Sequence, residues 1–189
     1  MASVVFLRGA NVGGKNVFRP AQLAASLSHL DAVNVGAAGT FVVRGKASAS
    51  TIRRELAQRL PFECHVAIRP AKDIVALLRD DPFAGVKLSR ALRGWVAVLA
   101  GRPKTFPTLP LMFPPGKQWS VRFERIEGPF AIGLWQRAKS GGFVFPSNAV
   151  EGVLGVPATT RFWETFGRIA AVLESSDGTD VNKKERRSQ

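Results

Sequence analysis

An apolar run, Val4 to Leu7, ends abruptly at Arg8-Gly9-Ala10-Asn11-Val12-Gly13-Gly14-Lys15-Asn16, and this junction restricts the fold more tightly than any other in the chain. Four consecutive apolar residues followed by glycines read as a buried strand entering a tight turn, with Ser3 to Arg8 as its extent. Three glycines release the backbone from the usual φ restriction, so that its N–H groups can converge on a ligand, while Arg8 and Lys15 supply positive charge. The pattern points to an anion site. Gly9 to Lys15 also satisfies G-x-x-x-x-G-K, but Asn16 stands where a nucleotide-hydrolysing loop needs serine or threonine for magnesium. The helix that such a loop should open at its lysine is delayed to Pro20. A true phosphate-binding loop of that kind is therefore set aside.

Beyond the loop, Pro20 to Leu30 reads as a helix with Leu23, Leu27 and Leu30 on one face and proline in its first turn. Val33 to Val35 and Thr40 to Arg44 read as strands, joined at Gly36-Ala37-Ala38-Gly39 by a hairpin turn or a bulge. Ser48 to Leu60 is a second helix carrying the stripe Ile52, Leu56, Leu60, with Ser50 or Thr51 as its N-cap. Cys64 to Arg69 alternates as a strand. The order βαββαβ over residues 1–70 is that of a ferredoxin-like subdomain, an antiparallel sheet carrying both helices on one face.

A second pattern opens at Pro70. Ala71 to Arg79 is helical, Gly94 to Ala100 is a strand, and the proline-rich segment 102–117 has no regular pattern. Trp119 to Arg125 and Phe130 to Arg137 form a hairpin, with Phe143 to Phe145 as a further short strand. Ser147 to Leu154 is a helix capped by Gly155, and Thr160 to Leu173 is a helix burying Phe162, Phe166, Ile169 and Leu173. The fold class expected from these patterns is α+β with antiparallel sheets, a ferredoxin-like subdomain over 1–70 and a second α+β subdomain over 71–174. A disordered polar tail over 175–189 completes the expected organisation.

Composition excludes several classes. The hydrophobic content of 46% excludes wholesale disorder. No apolar run reaches the ~20 residues of a bilayer span, and the N-terminal apolar run is too short for a signal-peptide core, so the expected location is cytoplasmic. With Cys64 as the one cysteine and His29 and His65 as the two histidines, no metal site or disulfide is expected, and no cofactor signature is present. The net charge of +13 is spread over both halves and fits either a polyanion partner or the arginine-rich usage of a GC-rich genome.

The stretch Phe6 to Asn16 closely resembles the N-terminal signature of a bacterial family known as domain of unknown function 1697. Thr160-Arg161-Phe162-Trp163-Glu164-Thr165 resembles a second motif of that family, and the likeness extends loosely from Met1 to about Leu173. The resemblance implies a two-part α+β fold with ferredoxin-like subdomains and no established activity. Two departures stand out. Gly36 to Thr40 lacks the polar groups usual there, and Phe162 and Glu164 replace asparagines of the second motif.

These readings converge on a small anionic or phosphorylated ligand held in a cleft between the subdomains by Arg8, Asn11, Gly13, Gly14, Lys15, Asn16, Arg161 and Trp163. Arg161 in the first turn of the last helix would sit beside the positive end of its dipole, an arrangement better explained by a bound anion or carboxylate. Trp163 reads foremost as a packing anchor, with a stacking platform as the alternative. No catalytic residue is identified, and whether a reaction follows binding stays open. The class-distinct alternatives are a nonspecific nucleic-acid-binding protein and a scaffold or oligomerisation module. RNA reading in the manner of a ferredoxin-like RNA-recognition domain is disfavoured, since Thr40 to Arg44 offers only Phe41 where such domains place several aromatics.

Overall fold

The computed structural model describes residues 1–137 and 144–185, with the side chains of the last helix as far as residue 175. It is a mixed α+β structure with two antiparallel sheets and five helices among the described residues. The chain separates into two compact units, Met1–Arg79 with Glu164–Gln189, and Asp80–Trp163. This division differs from one at residue 70. The helix after Pro70 stays with the first unit, and the chain returns to that unit for its final helix.

In the first unit the strands are β1 (Ser3–Leu7), β2 (Ala32–Gly36), β3 (Thr40–Val43) and β4 (Val66–Pro70), in the order β2-β3-β1-β4. All its strand pairs are antiparallel. The helices are α1 (Pro20–Ser26), α2 (Ala49–Arg59) and α3 (Ala71–Asp80). Helix α1 is shorter than its apolar spacing suggests, because the chain tightens into a 3-10 turn over Ser28–Leu30 and then turns through Asp31 at φ 51°. Ser48 caps α2 by accepting from Thr51 N–H at 3.0 Å, so the cap lies two or three residues before the positions read from sequence. Both Ser50 and Thr51 remain hydrogen-bonded to Ser48 through their hydroxyls.

Strand β1 is buried along Val4–Leu7, and successive side chains leave it on opposite faces. Val5 and Leu7 join Leu23 and Leu27 of the α1 segment and Ile52 and Leu56 of α2 in one core. On the other face Phe6 stacks on Phe166 of the final helix, ring centroids 6.0 Å apart. A strand covered on both faces has no polar alternation, which is why Val4 to Leu7 is continuously apolar.

The second unit holds β5 (Leu92–Leu99), β6 (Leu111–Phe113), β7 (Val121–Glu127), β8 (Phe130–Gln136), α4 (Pro146–Leu154) and β9 (Ala158–Phe162), with sheet order β6-β7-β8-β5-β9. Its core packs Trp95, Ala97 and Leu99 of β5 against Val150 and Leu154 of α4 and Phe123 of β7. This element order is not βαββαβ. Three expectations change here. A short strand, β6, occupies part of the proline-rich segment, pairing Leu111 with Phe123. Residues 144–145 are not in a strand, and residue 143 lies outside the described residues.

The third change is the largest. Residues 158–162 form a strand antiparallel to β5, with Arg161 opposite Val96, and the final helix α5 (Trp163–Glu185) begins only after it. The β-branched pair Thr159-Thr160 favours extended backbone, and both hydrogen-bonding edges of β5 are thereby used. Helix α5 extends past Ser175, where composition suggests a disordered tail. No helix is long and apolar enough to cross a membrane, and no cluster of metal-binding side chains occurs among the described residues.

Gly39 shows how closely β1 is packed. It takes φ +72°, and a Cβ there would lie 2.9 Å from Leu7 Cβ. Gly39→Ala should destabilise by roughly 2–4 kcal/mol through combined backbone strain and overpacking. Gly152, inside α4 with nothing within 4 Å of a built Cβ, gives the opposite case. Gly152→Ala should be neutral or stabilising by up to about 1 kcal/mol, and urea denaturation of both variants checks the contrast.

Candidate functional site

The loop from Arg8 to Asn16 is held by its own side chains. Gly9, Asn11, Gly13, Gly14 and Asn16 all take positive φ, between 51° and 73°. Val12 and Lys15 form an antiparallel bridge, with Lys15 N–H donating to Val12 C=O at 3.1 Å. Gly13 and Gly14 between them, both at positive φ, meet the requirement of the two-residue hairpin turn whose handedness follows strand twist. The glycine pair therefore makes a miniature hairpin.

Asn11 fixes this hairpin to the rest of the unit. Its Nδ2 donates to Phe18 C=O at 3.1 Å and to Ala37 C=O at 2.8 Å, while its Oδ1 accepts from Phe18 N–H at 2.9 Å. Both amide hydrogens and the carbonyl are thus engaged, and the residue is a brace across the loop. Asn16 Nδ2 donates to Gly9 C=O at 3.3 Å, and Asn11 N–H donates to Asn16 C=O at 3.1 Å. Asparagine suits both positions because it tolerates the left-handed region and bonds locally.

Apolar anchors reinforce the polar ones. Ala10 is 1% exposed within the same core as Leu7, and Phe18 packs edge-on to Phe62 at 5.9 Å. Neither the Phe18 anchor nor the Ala37 carbonyl was evident as part of the site in the sequence. The aromatic residue two positions after Asn16 is the signal that could have marked the loop's exit.

Arg8, Gly13, Gly14 and Lys15 are exposed at the outer side of this braced loop. Arg8 N–H donates to His65 C=O at 2.9 Å, securing the base of the loop to the segment entering β4. Cys64, half-buried beside it, has its thiol pushed up by burial, with a backbone hydrogen bond from Arg8 acting the other way. That environment favours the thiol over the thiolate.

Arg161 and Trp163, the two remaining sequence-derived residues, belong to the second unit. Arg161 lies in β9, outside any helical first turn, so the helix-dipole argument for an anion there does not apply. Its side chain is buried, Nη1 donates to Thr160 C=O at 2.8 Å, and desolvation lowers its pKa to about 10. It stays protonated at neutral pH. Trp163 meets Phe83 edge to face at 5.2 Å, and a Cβ at Gly94 would lie 2.7 Å from the Phe83 ring. The tryptophan is a packing anchor on a ring that is itself closely enclosed.

Fold and loop together describe an α+β protein of two antiparallel sheets whose first unit presents a braced glycine hairpin. The model of a family described as Protein of unknown function (DUF1697) matches residues 1–106, and the chain belongs to that family. A solved structure described as that of a conserved bacterial protein from Streptococcus pneumoniae is similar in fold, with a TM-score of 0.56 and 18% sequence identity. The match covers 91% of this chain and 98% of that one. No functionally curated protein matches the chain.

Asn11→Ala should cost about 2–3 kcal/mol, since it removes three hydrogen bonds worth ~1 kcal/mol each and leaves alanine at positive φ. Asn11→Gly should cost less because it relieves the backbone. Lys15→Ala, at an exposed side chain, should change stability by under ~0.5 kcal/mol. Thermal and urea unfolding of the three variants checks that order.

Proposed function

We propose that the Arg8 to Asn16 loop binds a small anionic ligand, phosphorylated or carboxylate, through the Gly13 and Gly14 N–H groups and the Lys15 ammonium, with Arg8 adding charge at its base. One observation carries this reading. The loop holds Asn11 and Asn16 at positive φ and secures them with side-chain hydrogen bonds, yet none of the hydrogen bonds found among the described residues uses the N–H groups at its tip. An uncommon backbone conformation held in place by surrounding contacts is found at ligand clamps. Asn11 and Asn16 serve this reading as braces; Arg161 and Trp163 are not needed for it.

The surrounding charges support the same choice. Glu55 is paired with His29 and Arg59, both at 2.9 Å, and Asp31 is paired with Arg44 at 2.7 Å. Lys15 has no ion pair among the described residues. In the same reading, the first unit's element order and its strand order β2-β3-β1-β4 support a ferredoxin-like subdomain. The net charge of +13 favours a second reading, nonspecific binding to nucleic-acid phosphates.

Inorganic pyrophosphate is the direct probe. At about a hundredfold excess over Kd, a ligand specific for the native state adds roughly 2.7 kcal/mol and raises Tm by several degrees. Lys15→Ala should abolish most of that rise with the unliganded Tm unchanged. An absent shift, or one that Lys15→Ala and Arg8→Ala both leave intact, contradicts the proposal. Binding to a short DNA duplex that falls steeply with salt and ignores both substitutions would select the second reading.

A further inference from the structure

The edge of β4 carries an inference independent of the glycine loop. Among the described residues the sheet order leaves β4 outermost, paired only with β1. Two hydrogen bonds bracket that ladder, Arg8 N–H to His65 C=O and Ala71 N–H to Ala2 C=O, each 2.9 Å. In an antiparallel pair, residues alternate between those that exchange hydrogen bonds with the partner and those whose groups face away. With Leu7 opposite Val66 and Val5 opposite Ile68, the inward-bonding residues of β4 are Ala67 and Arg69. The N–H and C=O groups of Val66 and Ile68 therefore face outward. Pro70, which has no N–H, ends this edge.

A groove opens at the Val66 end of that edge. A cavity of about 640 Å³ is bounded by α2 on one side and residues 60–66 on the other, with Ala57, Leu60, Phe62 and Val66 among its walls. Arg53 also lines it and reaches the edge itself, Nη2 lying 3.4 Å from the outward Val66 C=O. Glu63 is the one acid in the lining. The cavity thus meets the outward ladder at Val66, where apolar side chains adjoin a guanidinium laid across an edge carbonyl.

We propose that this surface binds an acidic, extended peptide segment of a partner protein, which adds to β4 as a further strand. Its backbone would pair with Val66 and Ile68, and the Arg53 guanidinium, displaced from the Val66 carbonyl, would meet an Asp or Glu of the peptide. Alternate apolar side chains would lie on Leu60 and Phe62, as strand addition beside a groove requires. Glu63 disfavours a second acid at its own end, so the peptide's acidic residues fall toward Arg53. The chain's charge of +13 favours an acidic partner for the same electrostatic reason.

The test is selection of a displayed library of random decapeptides on the full-length protein, with Ala57→Trp as the comparison. Ala57 is exposed on α2, so tryptophan there occupies the groove without entering the core. Enriched peptides should alternate apolar residues with at least one Asp or Glu, and a synthetic copy should lose about tenfold or more in affinity with Ala57→Trp by fluorescence anisotropy. N-methylation of that copy at alternate amides should abolish binding, and Arg53→Ala should weaken selection for the acid. Amide exchange gives a second readout, because the Val66 and Ile68 N–H groups should become protected when the copy binds. No enrichment over the Ala57→Trp protein, or binding that leaves those two amides unprotected, overturns the proposal.

Discussion

Strand β1 is buried from both sides, and the packing of the first unit is built around it. Val5 and Leu7 face the core built with α1 and α2, while Phe6 is stacked on Phe166 of α5, so side chains on opposite faces share one rigid backbone. Full burial of such side chains contributes roughly 1.5–3 kcal/mol each. The final residue of this strand is also clasped from the side, since Leu7 N–H donates to Gly39 C=O at 2.8 Å and a methyl group at Gly39 would collide with Leu7. The glycine loop thus begins from a strand end packed on both faces and hydrogen-bonded at its side. Ala10 then returns the chain to the core, and Phe18 anchors its exit.

That arrangement explains how a short segment rich in glycine can hold a defined shape. Glycine lowers the cost of positive φ in the folded state but adds freedom to the unfolded chain, so extra contacts are needed to fix one conformation. Asn11 supplies them by joining the loop to Phe18 and to the turn after β2 at Ala37. The consequence is a loop whose interior hydrogen bonds are internal while its outer N–H groups and Lys15 remain at the surface. Preorganisation of this kind lowers the ordering cost that a ligand would otherwise meet on binding.

Much of this was legible from the residues, and the gaps have physical causes. The run Val4 to Leu7, the Pro20 start of α1, the stripe Ile52 and Leu56, and Gly155 at φ 64° after α4 all follow from local chemistry that the structure retains. Strand β9 was hidden because Phe162, Phe166 and Ile169 fit helical spacing, although Phe162 belongs to the strand and the other two to the helix. Arg161 accordingly changed from a helix-terminal residue to a buried strand residue. The role of Asn11 was illegible for a different reason: its partner Ala37 is distant in sequence, and side-chain amides give no periodic signal. The groove at β4 was equally hidden, since an edge is a property of the whole sheet order and no single strand reveals it.

Bracing by Asn11 predicts a glycine hairpin ordered before any ligand arrives, and backbone 15N relaxation of the ligand-free protein reads that order residue by residue. Gly13 and Gly14 should show order parameters of about 0.85, comparable with β1, and Asn11→Ala should lower them. Values below ~0.6 for both glycines in the unsubstituted protein would contradict the claim, because a loop that mobile could not be a preformed site.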